Sequence, residues 1–495
     1  MKTPIGFSVK LIAAACVLAL APLAIGTAVA SPGKAGAPAF RVDPSWPKPL
    51  PHHWQIGQVA GIAVDQYDHI WIIQRPRTLT DDEAWATDAY TQGCSDGTLP
   101  DPGTGLCSDG STPVAVDAFG HPRPFGPEAD CCVPAPAVME FDTRGNLLRA
   151  WGGPVQRDPD WGWPAANCLP DDGCQWPANE HGIYVDHNGF VYIAGNGFGD
   201  GTLANGLNDR GWDGQVLKFS MDGTFLLQVG AAGAGPSSND TDGGLNGTPQ
   251  LYRPADMEVD PETNELYIAD GYGNHRVVVV DAATGQYKRH WGAYGQNPVD
   301  DAAASAVGAY GTDRDAGVTP PYFRNPVHCV HIAHDGGVYV CDRTNDRIQV
   351  FDKTAVGDVC DNSGQQEDQC GFITEKFVEA DTLGIGTVAD LDTSADRDQS
   401  CLHNADITNQ RVDTLDRASL EILGQFGRNG RQAGQFHWLH NLATDSRGNI
   451  YTAEVDTAKR AQKFVRMGPL GCNANTGGRH HGHGPWDADA RNSRW

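Results

Sequence analysis

Asn274-His275-Arg276-Val277, Asn345-Asp346-Arg347-Ile348 and Asn409-Gln410-Arg411-Val412 are three chain-distant copies of one phrase, and each runs on to an aspartate, Asp281, Asp352 and Asp416. Each copy follows an alternating apolar stretch, LYIAD, VYVCD or CLHNAD, and two have a further strand-like segment upstream, DMEVD and HCVHIAHDGG. A strand–turn–strand unit that recurs along a chain is the mark of a β-propeller blade. In such a ring, equivalent positions of distant blades meet near one axis, so residues far apart in sequence can share a site.

Working outward from these copies predicts an all-β, six-bladed propeller spanning residues 56–470. Blade one takes 61–65 and 69–75 and resumes at 138–142 and 147–152, which leaves 76–137 as an inserted loop rich in Gly, Pro, Asp and Cys. Blade two takes 181–186, 190–194, 216–219 and 229–230, and blade three 256–260, 266–270, 276–281 and 290–292. Blade four begins at His328 and continues through 338–342 and 347–352. Blade five has a weak first strand at 387–392, then 402–406 and 411–416, and blade six takes 440–445, 449–453 and 462–465. Short alternating strands between Gly, Asp and Asn turns fit half-buried sheet. An N-terminal strand pairing with blade six is expected to close the ring and remove exposed edges.

The chain opens with Lys2, Lys10 and an apolar run to Ala28-Val29-Ala30, the order of an export signal over residues 1–30. A lipoprotein signal ending at Cys16 is disfavoured by the short apolar stretch before it and by Ala13. Residues 31–55 form an N-terminal extension and 471–495 a polar tail carrying His480, His481 and His483. The expected location is secreted or periplasmic. Removing residues 1–30 takes away two lysines and no acid, so the formal charge moves from −26 to −28. Such a surface repels phosphate backbones and anionic membranes, so neither nucleic acid nor a membrane is expected as partner. Without Cys16, twelve cysteines remain, and an oxidising compartment predicts disulfides. Cys329 and Cys341 flank a hairpin, Cys168/Cys174 and Cys360/Cys370 can each pin a loop, and Cys94, Cys107, Cys131 and Cys132 fall within one insertion.

Aligned on the residue that ends each first strand, the six blades carry Ala60, His181, Ala255, His328, Thr387 and His440 at one position. Histidine therefore recurs in every second blade, with a small residue between. Alternate blades of a six-fold ring stand about 120° apart, so these three imidazoles should converge as a trigonal set. Three neutral imidazoles with an open fourth position describe a catalytic zinc site. A lone strand histidine such as His331 or His334 is ordinarily just a satisfied residue. Arg75, Tyr272 and Arg343 fall in turns between second and third strands, on the same rim. A guanidinium there is placed to hold a carboxylate, and a phenol to act as a general base.

From about Gln58 to Val465 the sequence resembles the peptidyl-α-hydroxyglycine α-amidating lyases, six-bladed propellers of the NHL-repeat type. The resemblance is strongest in QVAGIAVD…WIIQR, EHGIYVDHNGFVYIA, RPADMEVDPETNELYIADGYGNHRV, NPVHCVHIAHDGGVYVCDRTNDRIQVF and LHNLATDSRGNIYTAE. It implies zinc ligands at His181, His328 and His440, a carboxylate-binding Arg75, a catalytic Tyr272 and a further arginine at Arg343. It also implies a reaction, cleavage of the C–N bond of an N-acyl α-hydroxyglycine or related carbinolamide to an amide and glyoxylate. The substrate would be a small molecule or peptide bearing a carboxylate. Two departures stand out. The family's methionine near zinc is Trp438 here, and its structural calcium, held by carbonyls matching Ile62 and Ile183 and by an aspartate, meets Asn441 instead. No copper monooxygenase domain, the usual source of the hydroxyglycine, lies in this chain. Loops 76–137, 153–180 and 293–322 are expected to cover or extend the rim. The alternative is a non-catalytic secreted NHL propeller that binds a protein or glycan. A lactonase-type propeller ranks last, because its calcium needs Glu, Asn and Asp where this chain places His and Ala.

Overall fold

Each copy of the Asn-x-Arg phrase clamps the aspartate that ends the strand before it. Asn274 Nδ2 and Arg276 Nε donate to Asp270 Oδ2 at 2.7 and 2.9 Å. Asn345 Nδ2 and Arg347 Nη2 do the same to Asp342 Oδ2 at 2.8 and 2.6 Å. Arg276 and Arg347 are wholly buried, so each needs its carboxylate; removing one partner of such a pair costs about 3–5 kcal/mol. Blade five loosens the pattern. Asn409 Nδ2 still reaches Asp406 at 2.8 Å, but Arg411 Nε turns to Asp413 at 3.0 Å.

The computed structural model describes residues 36–80, 131–153, 173–197, 212–233, 237–300, 321–357, 371–380 and 384–472, with a few short pieces between them. Six four-stranded antiparallel sheets form the six blades of a propeller. Their innermost strands are Gln58–Val64, Glu180–Val185, Asp256–Asp260, Val327–Ile332, Asp390–Thr393 and Leu439–Thr444. Ring closure follows the expected plan: Ala39–Asp43 pairs antiparallel with Arg460–Met467 as the outer strand of blade six. That strand lies inside what the sequence marks as an N-terminal extension.

Large side chains wedge between neighbouring blades. Trp151 of blade one packs against Phe219 of blade two, and Trp291 of blade three against Phe351 of blade four. Phe426 of blade five meets Phe464 of blade six and Phe40 of the closing strand. Burying rings of this size contributes strongly to adhesion between sheets that are not joined by strand pairing.

Four cysteine pairs are formed among the described residues. Cys329–Cys341 and Cys168–Cys174 pair as the sequence suggested, the former across directly opposed strand positions. Cys131 pairs with Cys132, and Cys401 with Cys472, a link not foreseen. Cys94, Cys107, Cys360 and Cys370 lie outside the described residues, as do residues 1–30, expected from the sequence to be an export signal, the histidines of the tail and most of the long loops. No described helix is long and apolar enough to cross a membrane.

Candidate metal centre

The innermost strands each reach the axis with a residue at one level, and the strand register slips across Ala60, His181, His328 and His440. A bulge of this kind re-aims one side chain without breaking the blade. The three histidines meet. Ring centroids stand 4.6 Å apart for His181–His440, 4.8 Å for His328–His440 and 5.0 Å for His181–His328. One ligating nitrogen from each lies within 4.8 Å of the others, and all three side chains are buried.

The intervening blades fix the tautomer. His181 Nδ1 lies 2.7 Å from the carbonyl of Ala255, His328 Nδ1 2.6 Å from that of Ala389, and His440 Nδ1 2.7 Å from that of Ala60. A carbonyl only accepts, so every Nδ1 carries the hydrogen and every Nε2 presents a lone pair to the axis. Burial pushes His181 and His328 well below the usual imidazole value, and His440 down to about 3. The set is neutral at physiological pH.

The small partner in blade five is Ala389, two residues beyond the expected Thr387. Thr387 instead donates its hydroxyl to the Val378 carbonyl and takes a side-chain oxygen of Asp346 on its N–H. The blade-five strand is Asp390–Thr393, so counting back from Asp392 set the register two residues early.

Tyr272, in the turn after Glu265–Asp270, brings its hydroxyl to 3.1 Å from His181 Nε2 and 3.0 Å from His328 Nε2. One phenol proton cannot serve two lone pairs. At least one Nε2 lone pair is therefore left without a proton from Tyr272, a place that a metal ion would fill. The flanking glycines make the approach possible: a Cβ on Gly271 would stand 2.0 Å from the Val327 carbonyl oxygen, and one on Gly273 1.8 Å from the Tyr252 ring.

Arg343 Nη1 donates to the Tyr272 oxygen at 3.0 Å, and its Nε donates to the Ile385 carbonyl at 3.1 Å. Arg75 Nε donates to the Glu180 carbonyl at 2.7 Å and Nη1 to Gln58 Oε1 at 2.9 Å. Burial lowers Arg75 to about 10, so it stays cationic near neutrality. Among the described residues neither guanidinium is hydrogen-bonded to a carboxylate, although the chain as a whole is strongly acidic. Trp438, half-buried with φ 56°, packs on the apolar cluster of the blade five–six seam and on one built mainly from blades one and two.

Three imidazole lone pairs at this spacing fit zinc. The calcium donor set fits poorly, because Asn441 Oδ1 faces His440 Nδ1 and its amide serves Asp390, while Ile62 and Ile183 lie within paired strands. Asp390 also accepts the Leu442 N–H at 2.9 Å, and burial pushes it up to about 7.

A second cluster, Asp65, His69 and Glu140, fastens a turn. Asp65 takes the N–H groups of Tyr67 and His69 and the Trp71 indole, while Glu140 holds His69 and Arg149. The matching Asp186 and Asp445 take a tyrosine hydroxyl in the same way. His331, set 3.2 Å from both Glu258 and Thr393, is a satisfied interior residue. Two neighbours of Tyr272 escaped the sequence reading. Asn325 donates to its carbonyl, and the Arg253 guanidinium lies 5.4 Å from its ring centroid.

Residues 251–280, which carry Arg253, Tyr272 and the first clamp, match the NHL repeat. The chain carries an NHL repeat within a six-bladed propeller. It is 27% identical over 242 residues to NHL repeat-containing protein 3 of Homo sapiens, covering 48% of this chain and 51% of that one. The Mus musculus protein of the same name is 25% identical over 263 residues, covering 51% and 60%. The chain thus spans about half the length of the human relative and somewhat more of the mouse one. Among solved structures, virginiamycin B lyase from Staphylococcus aureus is similar with a TM-score of 0.37 and 11% identity, over 84% of this chain and 86% of that one.

Proposed function

We propose that this protein is an exported, zinc-dependent carbon–nitrogen lyase that cleaves an N-acyl α-hydroxyglycine or related carbinolamide to an amide and glyoxylate. One observation carries the reading: three neutral imidazoles, a phenol and two guanidiniums that hydrogen-bond no carboxylate among the described residues are gathered at one buried site. His181, His328 and His440 would hold the ion, which when bound supplies Lewis acidity toward the carbinol oxygen. Arg75 has donor capacity beyond its two neutral acceptors and holds the substrate carboxylate. Tyr272, acting as the phenolate once its own proton has gone to solvent, takes the carbinol O–H proton; the electron pair of that O–H bond becomes the second C–O bond of the new carbonyl as the C–N pair leaves on nitrogen. The departing amide nitrogen receives that proton from the phenol, which restores the phenolate. Arg343, donating to the phenol oxygen, stabilises its negative charge during the transfer. The disulfides support an oxidising location.

Glyoxylate release from a simple N-acyl-α-hydroxyglycine tests the proposal. Zinc-loaded wild type is expected to release glyoxylate and amide in equal amounts, with His328→Ala and Tyr272→Phe both impaired. A zinc-loaded protein that cleaves no such substrate would leave a propeller whose role is binding.

A further inference from the structure

We propose that Arg253 is a positioning residue for the Tyr272 phenol; the kinetic part of this proposal rests on the lyase reading above. Arg253 sits two residues before Ala255, whose carbonyl orients His181, and takes φ 59°. A long side chain in the left-handed region is uncommon and marks a backbone held for a purpose. Here the backbone and side chain together grip one residue. The Tyr272 N–H donates to the Arg253 carbonyl at 3.1 Å, and Arg253 Nη1 donates back to the Tyr272 carbonyl at 3.3 Å. The guanidinium lies 5.4 Å from the Tyr272 ring centroid and 5.7 Å from that of Trp212, while Arg343 stands 5.5 Å from the same phenol ring. Its Nε donates to the Asn196 carbonyl of blade two at 2.8 Å, which ties the grip to the neighbouring blade.

Blade one repeats the arrangement with different chemistry. Gln58, two residues before Ala60, holds Arg75, the rim group of that blade, at 2.9 Å. In blade four the equivalent residue is Pro326, which has no polar side chain, and Arg343 is held instead by the Ile385 carbonyl of blade five. In blades one and three the residue two before the ring level thus supports the rim group of its own blade.

The test uses zinc-loaded full-length protein carrying Arg253→Met, with Arg253→Lys as the milder variant. Displacing a reacting group slightly can cost on the order of 100-fold, so Arg253→Met should lower kcat by on the order of 10- to 100-fold while KM and zinc content hold. Arg253→Lys should recover part of the loss. In a Tyr272→Phe background Arg253→Met should cost nothing more, because the arginine acts through the phenol. An additive loss, or a raised KM with kcat intact, would overturn the proposal and make Arg253 a substrate contact. A crystal structure of Arg253→Met decides the point without any substrate. A phenol oxygen moved out of hydrogen-bond reach of His181 and His328 supports positioning, and an unmoved one refutes it even if the lyase reading has already failed.

Discussion

His440 donates its Nδ1–H to the backbone carbonyl of Ala60, which lies 380 residues away in sequence and 2.7 Å away in space. The bond crosses the seam where blade six meets blade one, so one ligand of the candidate centre is oriented by ring closure itself. The same bond is made by His181 to blade three and by His328 to blade five. Each imidazole is aimed by the blade that follows it.

Seam and centre should therefore fail together. Trp46 is buried at this seam between Phe141 of blade one and Tyr451 of blade six, with ring centroids 5.8 and 5.1 Å away. Trp46→Ala is expected to cost about 3–5 kcal/mol in urea unfolding. Zinc titration of the same variant should show weaker retention than wild type. A destabilised variant with unchanged zinc affinity would separate the two.

Tyr272→Phe removes only the oxygen that bridges His181 and His328. Zinc content is expected to hold, while kcat for carbinolamide cleavage falls on the order of 10²- to 10⁴-fold, the usual contribution of a positioned proton-transfer group. Kinetics paired with metal analysis check this, and a variant with normal turnover would remove the phenol from the mechanism.

Arg75→Ala is expected to raise KM for substrates bearing a free carboxylate and to leave their methyl esters little affected. The bidentate reach of a guanidinium is what distinguishes the two. Equal effects on acid and ester would assign Arg75 to holding Glu180 and Gln58 instead.

Asp390 gives a pH signature. Its carboxyl rises from 3.8 to about 7 on folding, first because of burial. The folded state then binds more protons than the unfolded chain between those values, so the charged group costs stability in full above about pH 7, and the cost fades as pH falls toward 3.8. Asp390→Asn should thus stabilise the protein at pH 8 and do so much less at pH 5. Unfolding midpoints at the two pH values test this, and a gain that grows toward acid would contradict it.

Much of this was legible in the sequence, for reasons that name particular residues. The clamp of Asn274 and Arg276 on Asp270 depends on chemistry that a local phrase records, so its repeats announce the blades. The alternation of His181, His328 and His440 was readable because a ring turns equal blade positions into neighbours. Thr387 misled because Asp392 looks like Asp65, Asp186 and Asp445, the aspartates that close other first strands, whereas blade five puts Ser394 there, its N–H bonded to the Cys401 carbonyl as that of Asp65 is to His69. Arg253 left no signal, since a lone arginine before proline gains its meaning only when Tyr272 folds onto it. The Cys401–Cys472 link likewise joins segments 71 residues apart that no local pattern relates.

Zinc stoichiometry tests the central claim most directly. Protein loaded with zinc and dialysed at neutral pH should keep one ion per chain, and His181→Ala, His328→Ala and His440→Ala should each lose it while remaining folded. A wild-type chain that retains no zinc, or three variants that keep it, would contradict the shared centre.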